Sequence, residues 1–122
     1  MVEELINNND VKLYSGGEVI RDYMHISDVV SAIDLIIEKG DKNKIYNVGS
    51  GQVTSFNNLI SYVFKSLEKK EIVEYIEMPP KLKKQYQNYT RADISKLRGT
   101  GYIKKFTKVE NAISDYILNY LV

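Results

Sequence analysis

Apolar residues along this 122-residue chain change period several times, and each change marks an element. Val29, Val30, Ile33, Ile36 and Ile37 recur at helical spacing behind Ser27, a favoured N-cap, with Asp28 in the first turn and Gly40 as a stop. That pattern predicts a helix over 27–39. Phe56, Leu59, Ile60, Val63, Phe64 and Leu67 repeat in the same way after Thr54-Ser55 and predict a second helix. A third is expected behind a capping box at Thr107 to Glu110, with Val109, Ile113, Ile117 and Leu121 inward. Val2 to Ile6 reads as the end of a helix running into the polar break 7–10. Short β patterns fall at Val11–Tyr14, Val19–Ile26, Lys44–Val48 and Ile72–Met78. Gly16-Gly17 gives a turn signal, Gly49-Ser50-Gly51 closes the third strand, and Pro79-Pro80 ends the last. Lys81 to Tyr89 has no period and is expected to be a loop, followed by a short helix capped by Thr90.

Few short strands with about four helices make the fold class α/β. Strand–helix–strand order over 44–78 predicts a parallel pair joined by a right-handed crossover. There is no repeat, low-complexity tract or linker composition, so residues 1–122 read as a single domain. A parallel sheet needs both faces covered, and so few strands cannot supply that alone. The chain therefore reads as part of something larger.

Composition adds exclusions. Hydrophobic residues are 43% and charged residues 27%, enough for one modest core and against intrinsic disorder. No apolar run is long enough to span a bilayer, and no signal-peptide pattern opens the chain, so the expected location is cytoplasmic. Zero cysteines exclude disulfides, thiolate zinc and cysteine catalysis; one histidine, His25, excludes most His-based metal sites, so no metal is expected. His25 reads as a packed, hydrogen-bonded residue.

The net charge of +1 hides a segregation. Residues 1–78 carry 8 basic and 13 acidic side chains, whereas residues 79–108 carry 9 basic and one acidic, Asp93. A segment of charge +8 points to an anion, with phosphate the commonest biological candidate, or to a solvated lysine-rich face. The interleaved Tyr86, Tyr89 and Tyr102 raise single-stranded nucleic acid as a ligand. Against it, Tyr102 precedes a helix and is expected in the core, and no RNA-binding motif accompanies the patch. Gly49-Ser50-Gly51 sits between a strand and a helix, but the third glycine of a dinucleotide fingerprint falls on Thr54. Gly99-Thr100-Gly101 fails likewise at Lys104. No cofactor is expected to be bound by this segment itself.

Arg21-Asp22-Tyr23-Met24-His25-Ile26-Ser27-Asp28, followed about 20 residues later by Asn47-Val48-Gly49-Ser50-Gly51, resembles the extended short-chain dehydrogenase/reductases that act on nucleotide sugars. Lys81-Leu82-Lys83-Lys84-Gln85-Tyr86-Gln87-Asn88-Tyr89-Thr90-Arg91-Ala92-Asp93, with Leu97 and Gly101-Tyr102 after it, is similar to the subgroup of ADP-heptose 6-epimerases. The resemblance covers almost the whole chain but only the C-terminal, substrate-binding portion of such enzymes. It implies an NAD(P)-dependent nucleotide-sugar epimerase as the parent, NAD or NADP as its cofactor, and lipopolysaccharide synthesis as its setting. It also implies a Rossmann cofactor half that is absent here. None of the ten tyrosines is followed four residues later by lysine, so the family's catalytic Tyr-x-x-x-Lys is missing. The 122 residues alone are expected to be inactive, with no catalytic residue among them.

By the same resemblance, Arg21 contacts the substrate diphosphate, the turn Tyr14-Ser15-Gly16-Gly17 lies against substrate, and Tyr86 contacts it from the lysine-rich loop. Lys81, Lys83 and Lys84 add long-range attraction. The chain is one residue shorter than the heptose enzymes between Gly17 and Arg21. The plain alternatives are an Arg21–Asp22 pair, a hairpin at Gly16-Gly17, and Tyr86 as a packed or surface aromatic. Asn47, Gly49 and Gly51 read as structural, and Asp28 and Asp93 as helix-start charges. Other 4-epimerases or dehydratases, or a non-catalytic sugar-nucleotide-binding or oligomerising module, remain as rivals. The expected partners are a nucleotide-diphosphate sugar, the missing Rossmann half and further copies of the chain.

Overall fold

The computed structural model describes residues 2–7 and 10–122; Asn8 and Asn9 of the expected polar break lie outside the described residues. The elements are α1 (Val2–Ile6), β1 (Val11–Tyr14), a 3-10 turn (Ser15–Gly17), β2 (Ile20–Arg21), α2 (Ile26–Lys39), β3 (Thr54–Ser55), α3 (Phe56–Ser66) and β4 (Val73–Ile76). Then follow α4 (Pro80–Lys83), α5 (Ser95–Gly99), α6 (Val109–Tyr116) and a π-helical turn, Ile117–Leu121. The α/β class holds, with six α-helices among the described residues, three of them of five residues or fewer.

Two small cores hold these elements. In the first, Val11 and Leu13 of β1 meet Ile60, Val63 and Phe64 of α3, with Leu5 and Ile117 closing the ends. The 3.6-residue period of α3 puts those three side chains on one face, and the Ser55 hydroxyl starts the helix by accepting from the Asn58 amide at 3.2 Å. Ala32 of α2, Leu97 of α5 and Tyr102 form the second core, with Leu35, Ile36, Val48, Ile94 and Phe106 against it. The buried Asp28 joins α2 to the approach to α6, its carboxylate accepting from the Thr107 amide at 2.7 Å.

Several expectations are corrected. β4 pairs in parallel with β1, Val11 opposite Val73 through Tyr14 opposite Ile76, and not with 44–48. Lys44–Val48 forms no ladder, and Ile45 is 84% exposed, because no other strand of the described residues runs beside it. The strand expected over 19–26 is reduced to Ile20–Arg21, antiparallel to β3 and bridged on its other side to Tyr89. Gly16-Gly17 is a 3-10 turn and not a hairpin, since β1 and β2 belong to different sheets. His25, not Ser27, caps α2, its ring accepting from the Ser27 amide. Thr90 caps no helix; Asp93 accepts from the amide and hydroxyl of Ser95 at the start of α5. The Thr107–Glu110 box does not form, because the Thr107 amide is taken by Asp28 and Glu110 pairs with Lys65. Leu121 is 41% exposed where an inward position was expected, and the 81–89 loop opens with α4.

Candidate functional site

β2 is the strand around which the site is built. Ile20 is tied twice to the 88–90 segment: its amide donates to the Asn88 carbonyl at 2.9 Å, and its carbonyl accepts from the Thr90 amide at 3.1 Å. Across the other edge, Arg21 stands opposite Thr54. The segment behind the lysine-rich loop is thus fastened beside the strand that carries Arg21.

Arg21 and Tyr86, 65 positions apart, meet here. The guanidinium carbon lies 5.5 Å from the Tyr86 ring centroid, and one arm donates to the Ile20 carbonyl at 3.0 Å. An aromatic face under a guanidinium fixes its plane while leaving edge donors for an anion. Both residues are half-buried, which strengthens an ionic contact relative to open water. Tyr23 follows just past the end of β2, close enough to Arg21 and Tyr86 to interact with both electrostatically. Burial holds its phenol above the ordinary tyrosine value; Arg21 acts in the opposite sense and Tyr86 adds to the rise. At neutral pH the phenol therefore remains a protonated donor beside the guanidinium.

The four-residue turn lies with other partners. Ser15, Gly16 and Gly17 all take left-handed φ angles of 51°, 67° and 70°. The Gly16 carbonyl accepts from Asn57 at 2.7 Å, and Asn57 in turn accepts from the Tyr75 hydroxyl. A Cβ on Gly17 would fall 2.1 Å from the Asn57 side-chain oxygen, so the turn is shaped to α3 and β4. Tyr14 ends β1 opposite Ile76. Among the described residues no hydrogen bond links this turn to Arg21 or Tyr86. Lys81, Lys83 and Lys84 are exposed on and after α4.

Two residues of the site escaped the sequence reading. Asp22 accepts from the Ser50 amide (2.9 Å), the Ser50 hydroxyl (2.5 Å), the Gly51 amide (2.9 Å) and the Ala92 amide (3.1 Å). Arg91 donates through Nε to the Gly51 carbonyl at 2.7 Å and lines a hollow of about 650 Å³ with Ser50, Tyr89, Ile94, Ser95 and Arg98. The available signal was the invitation of Arg21-Asp22 next to a distant Gly-Ser-Gly, but nothing in one dimension says which carboxylate meets which turn. The same bonds test the Gly49-Ser50-Gly51 turn as a dinucleotide loop. Its Ser50 and Gly51 amides are already engaged by the Asp22 carboxylate, so the residues present do not fit a cofactor pyrophosphate.

Elsewhere, His25 contacts Ser27 through Nδ1 at 2.7 Å and Asp115 through Nε2 at 3.0 Å, a structural link between α2 and α6. A 370 Å³ apolar groove lies between Tyr23, Met24, Leu59, Val63, Ile113 and Ile117; its walls suit no anion. Among the described residues no group of three or more His, Asp or Glu gathers as a metal site, and no helix is long and apolar enough to cross a membrane.

An arginine on a short strand, stacked on a tyrosine from a basic loop within an α/β unit, is an arrangement that can take an anion. The model of the NAD dependent epimerase/dehydratase family matches residues 1–49. The ADP-L-glycero-D-manno-heptose-6-epimerase of Brachyspira hyodysenteriae is 39% identical over 107 residues, 87% of this chain and 33% of that protein. The chain spans about a third of the length of the curated relatives it matches. Among solved structures, the ADP-L-glycero-D-manno-heptose-6-epimerase of Helicobacter pylori superposes with a TM-score of 0.77 at 28% identity, over 96% of this chain and 34% of that one. UDP-glucose 4-epimerase of Thermotoga maritima, solved with UDP-glucose, gives 0.81 at 25%, over 99% and 38%.

Proposed function

We propose that this chain holds the diphosphate of a nucleotide sugar for an NAD(P)-dependent epimerase, with an ADP-heptose as the substrate. The observation that carries the reading is the Arg21 guanidinium stacked on Tyr86 beside a loop rich in lysine. A planar fork grips adjacent phosphate oxygens, and Tyr23 and Tyr86 offer phenol donors next to it. The lysines raise the local concentration of a dianion. Holding the diphosphate orients the sugar carbon for reaction, which is this chain's share of catalysis. The nicotinamide cofactor, when bound by the rest of such an enzyme, supplies the hydride chemistry. This chain has no Tyr-x-x-x-Lys and is inactive alone.

A UDP-sugar 4-epimerase is the second reading, favoured by the fold similarity to the Thermotoga maritima enzyme. Calorimetry of the chain with ADP, UDP and GDP separates the two. The expected order has ADP tightest; a preference for UDP moves the assignment to the 4-epimerases, and no binding of any of them rejects the diphosphate site.

The partner is the cofactor-binding half. Ile26, Val30, Ile33 and Ile37 form one stripe along α2 and are 58%, 50%, 45% and 78% exposed. Lys44–Val48, which follows α2 in sequence, forms no ladder. A helix with an uncovered apolar stripe followed by an unpaired strand suits addition to the edge and face of a parallel sheet. Without that sheet, the stripe is expected to drive self-association. Sedimentation of the isolated chain is expected to give dimers or larger species; a strict monomer at high concentration overturns this.

A further inference from the structure

Asp22 belongs to the motif that carries Arg21, yet its carboxylate hydrogen-bonds none of the residues that bind substrate in the proposed reading. Its carboxylate instead collects four donors from two distant segments, 50–51 and 92. A carboxylate facing three backbone amides and a hydroxyl is satisfied without any cation, and such charge-assisted bonds are stronger than neutral ones. The approach is close: a Cβ on Gly49 would lie 2.3 Å from the Ala92 Cβ and 3.0 Å from an Asp22 carboxylate oxygen. The Gly51 carbonyl adds a further tie, accepting from Arg91.

The consequence lies upstream of Ala92. Residues 88–90 run alongside Ile20 on two backbone bonds, and Tyr86 precedes them. The 84–92 segment is exposed over most of its length, so few apolar contacts fix it. Its placement beside Arg21 rests on the two bonds at Ile20, the one at Asp22 and the Arg91 tie to the Gly51 carbonyl.

We propose that Asp22 is a positioning residue: by clasping the Ser50-Gly51 turn and the Ala92 amide, it sets Tyr86 against Arg21 and thereby sets affinity for the diphosphate. The affinity half of this rests on Arg21 being the diphosphate contact; the positioning half does not. Asp22→Asn replaces one acceptor oxygen by a donor, so two of the four donors lose their partner.

The test is a double-mutant cycle on the full chain, with ADP and inorganic pyrophosphate as probes. Asp22→Asn is expected to weaken both at least about fivefold in the native background and to add nothing in an Arg21→Ala background. Equal losses in both backgrounds, or no loss, overturn the positioning role, because a general weakening of the fold would not depend on Arg21. In parallel, the ring-current shift that Tyr86 imposes on the Arg21 side-chain N–H is read by NMR. It is expected to collapse in Asp22→Asn while α3 amides keep their shifts and exchange rates; its persistence overturns the proposal. If the native chain binds neither probe, the diphosphate reading falls, and the ring-current result alone decides whether Asp22 positions Tyr86. Should Asp22→Asn fail to fold, Ser50→Ala removes only the hydroxyl donor and is expected to give a smaller change of the same sign in both measurements; no change overturns the clasp.

Discussion

Arg21→Ala is expected to lower affinity for a nucleoside diphosphate by at least about 1.5 kcal/mol, roughly tenfold, the scale of a charge-assisted hydrogen bond. Its half-buried guanidinium is held in plane by Tyr86 and by the Ile20 carbonyl, so the side chain loses little freedom on gripping an anion. Arg21→Lys is expected to recover only part of the loss, since an ammonium keeps the charge without the fork. Calorimetry with ADP reads both variants, and an affinity unchanged in Arg21→Ala removes this residue from the site. Because Arg21 is only half-buried and its guanidinium donates to the neighbouring Ile20 carbonyl, thermal unfolding of the variant is expected to stay close to that of the native chain.

Gly49→Ala is expected to destabilise the chain by about 2 kcal/mol, within the range for forcing a methyl into a packed site. Gly49 is buried, and the added carbon would meet the Ala92 side chain and the Asp22 carboxylate at once. Neither neighbour is the free end of a flexible chain: Ala92 is one carbon long, and Asp22 is held by four donors. Space, not backbone conformation, is the reason for glycine here. Adding Ala92→Gly is therefore expected to restore much of the loss, and denaturant titration of the single and double variants checks it. A Gly49→Ala variant within about 0.5 kcal/mol of the native chain would show that the clasp is looser than its geometry.

Gly49 also marks the boundary of what one sequence can say. A glycine between a strand pattern and a helix pattern reads as a turn, and it is one. That it exists to let Ala92 come near depends on a residue 43 places away, and no local period encodes such a pairing. The case of Lys44–Val48 is similar. Its alternation is that of a strand, but a ladder needs a second backbone, and none of the described residues provides it. Caps failed for a related reason. Thr107 has the right neighbours for a capping box, yet its amide is claimed by the buried Asp28, 79 positions away. Tertiary partners outbid a local cap worth about 1 kcal/mol.

Periodicity and composition by themselves determined the α/β class, the existence of α2, α3 and α6, the strand Val11–Tyr14 and a strand within Ile72–Met78, the absence of thiol chemistry and the charge of the lysine-rich loop. Those features follow from residues within a few positions of each other, where side-chain period and backbone preference act. Only the tertiary structure decided that β4 lies beside β1, that Arg21 meets Tyr86, that the Ser15–Gly17 turn is tied to α3, and that Asp22 fills the turn a cofactor phosphate would otherwise need. Each of these is a contact between segments far apart in sequence, selected by packing and by the requirement that every buried polar group find a partner.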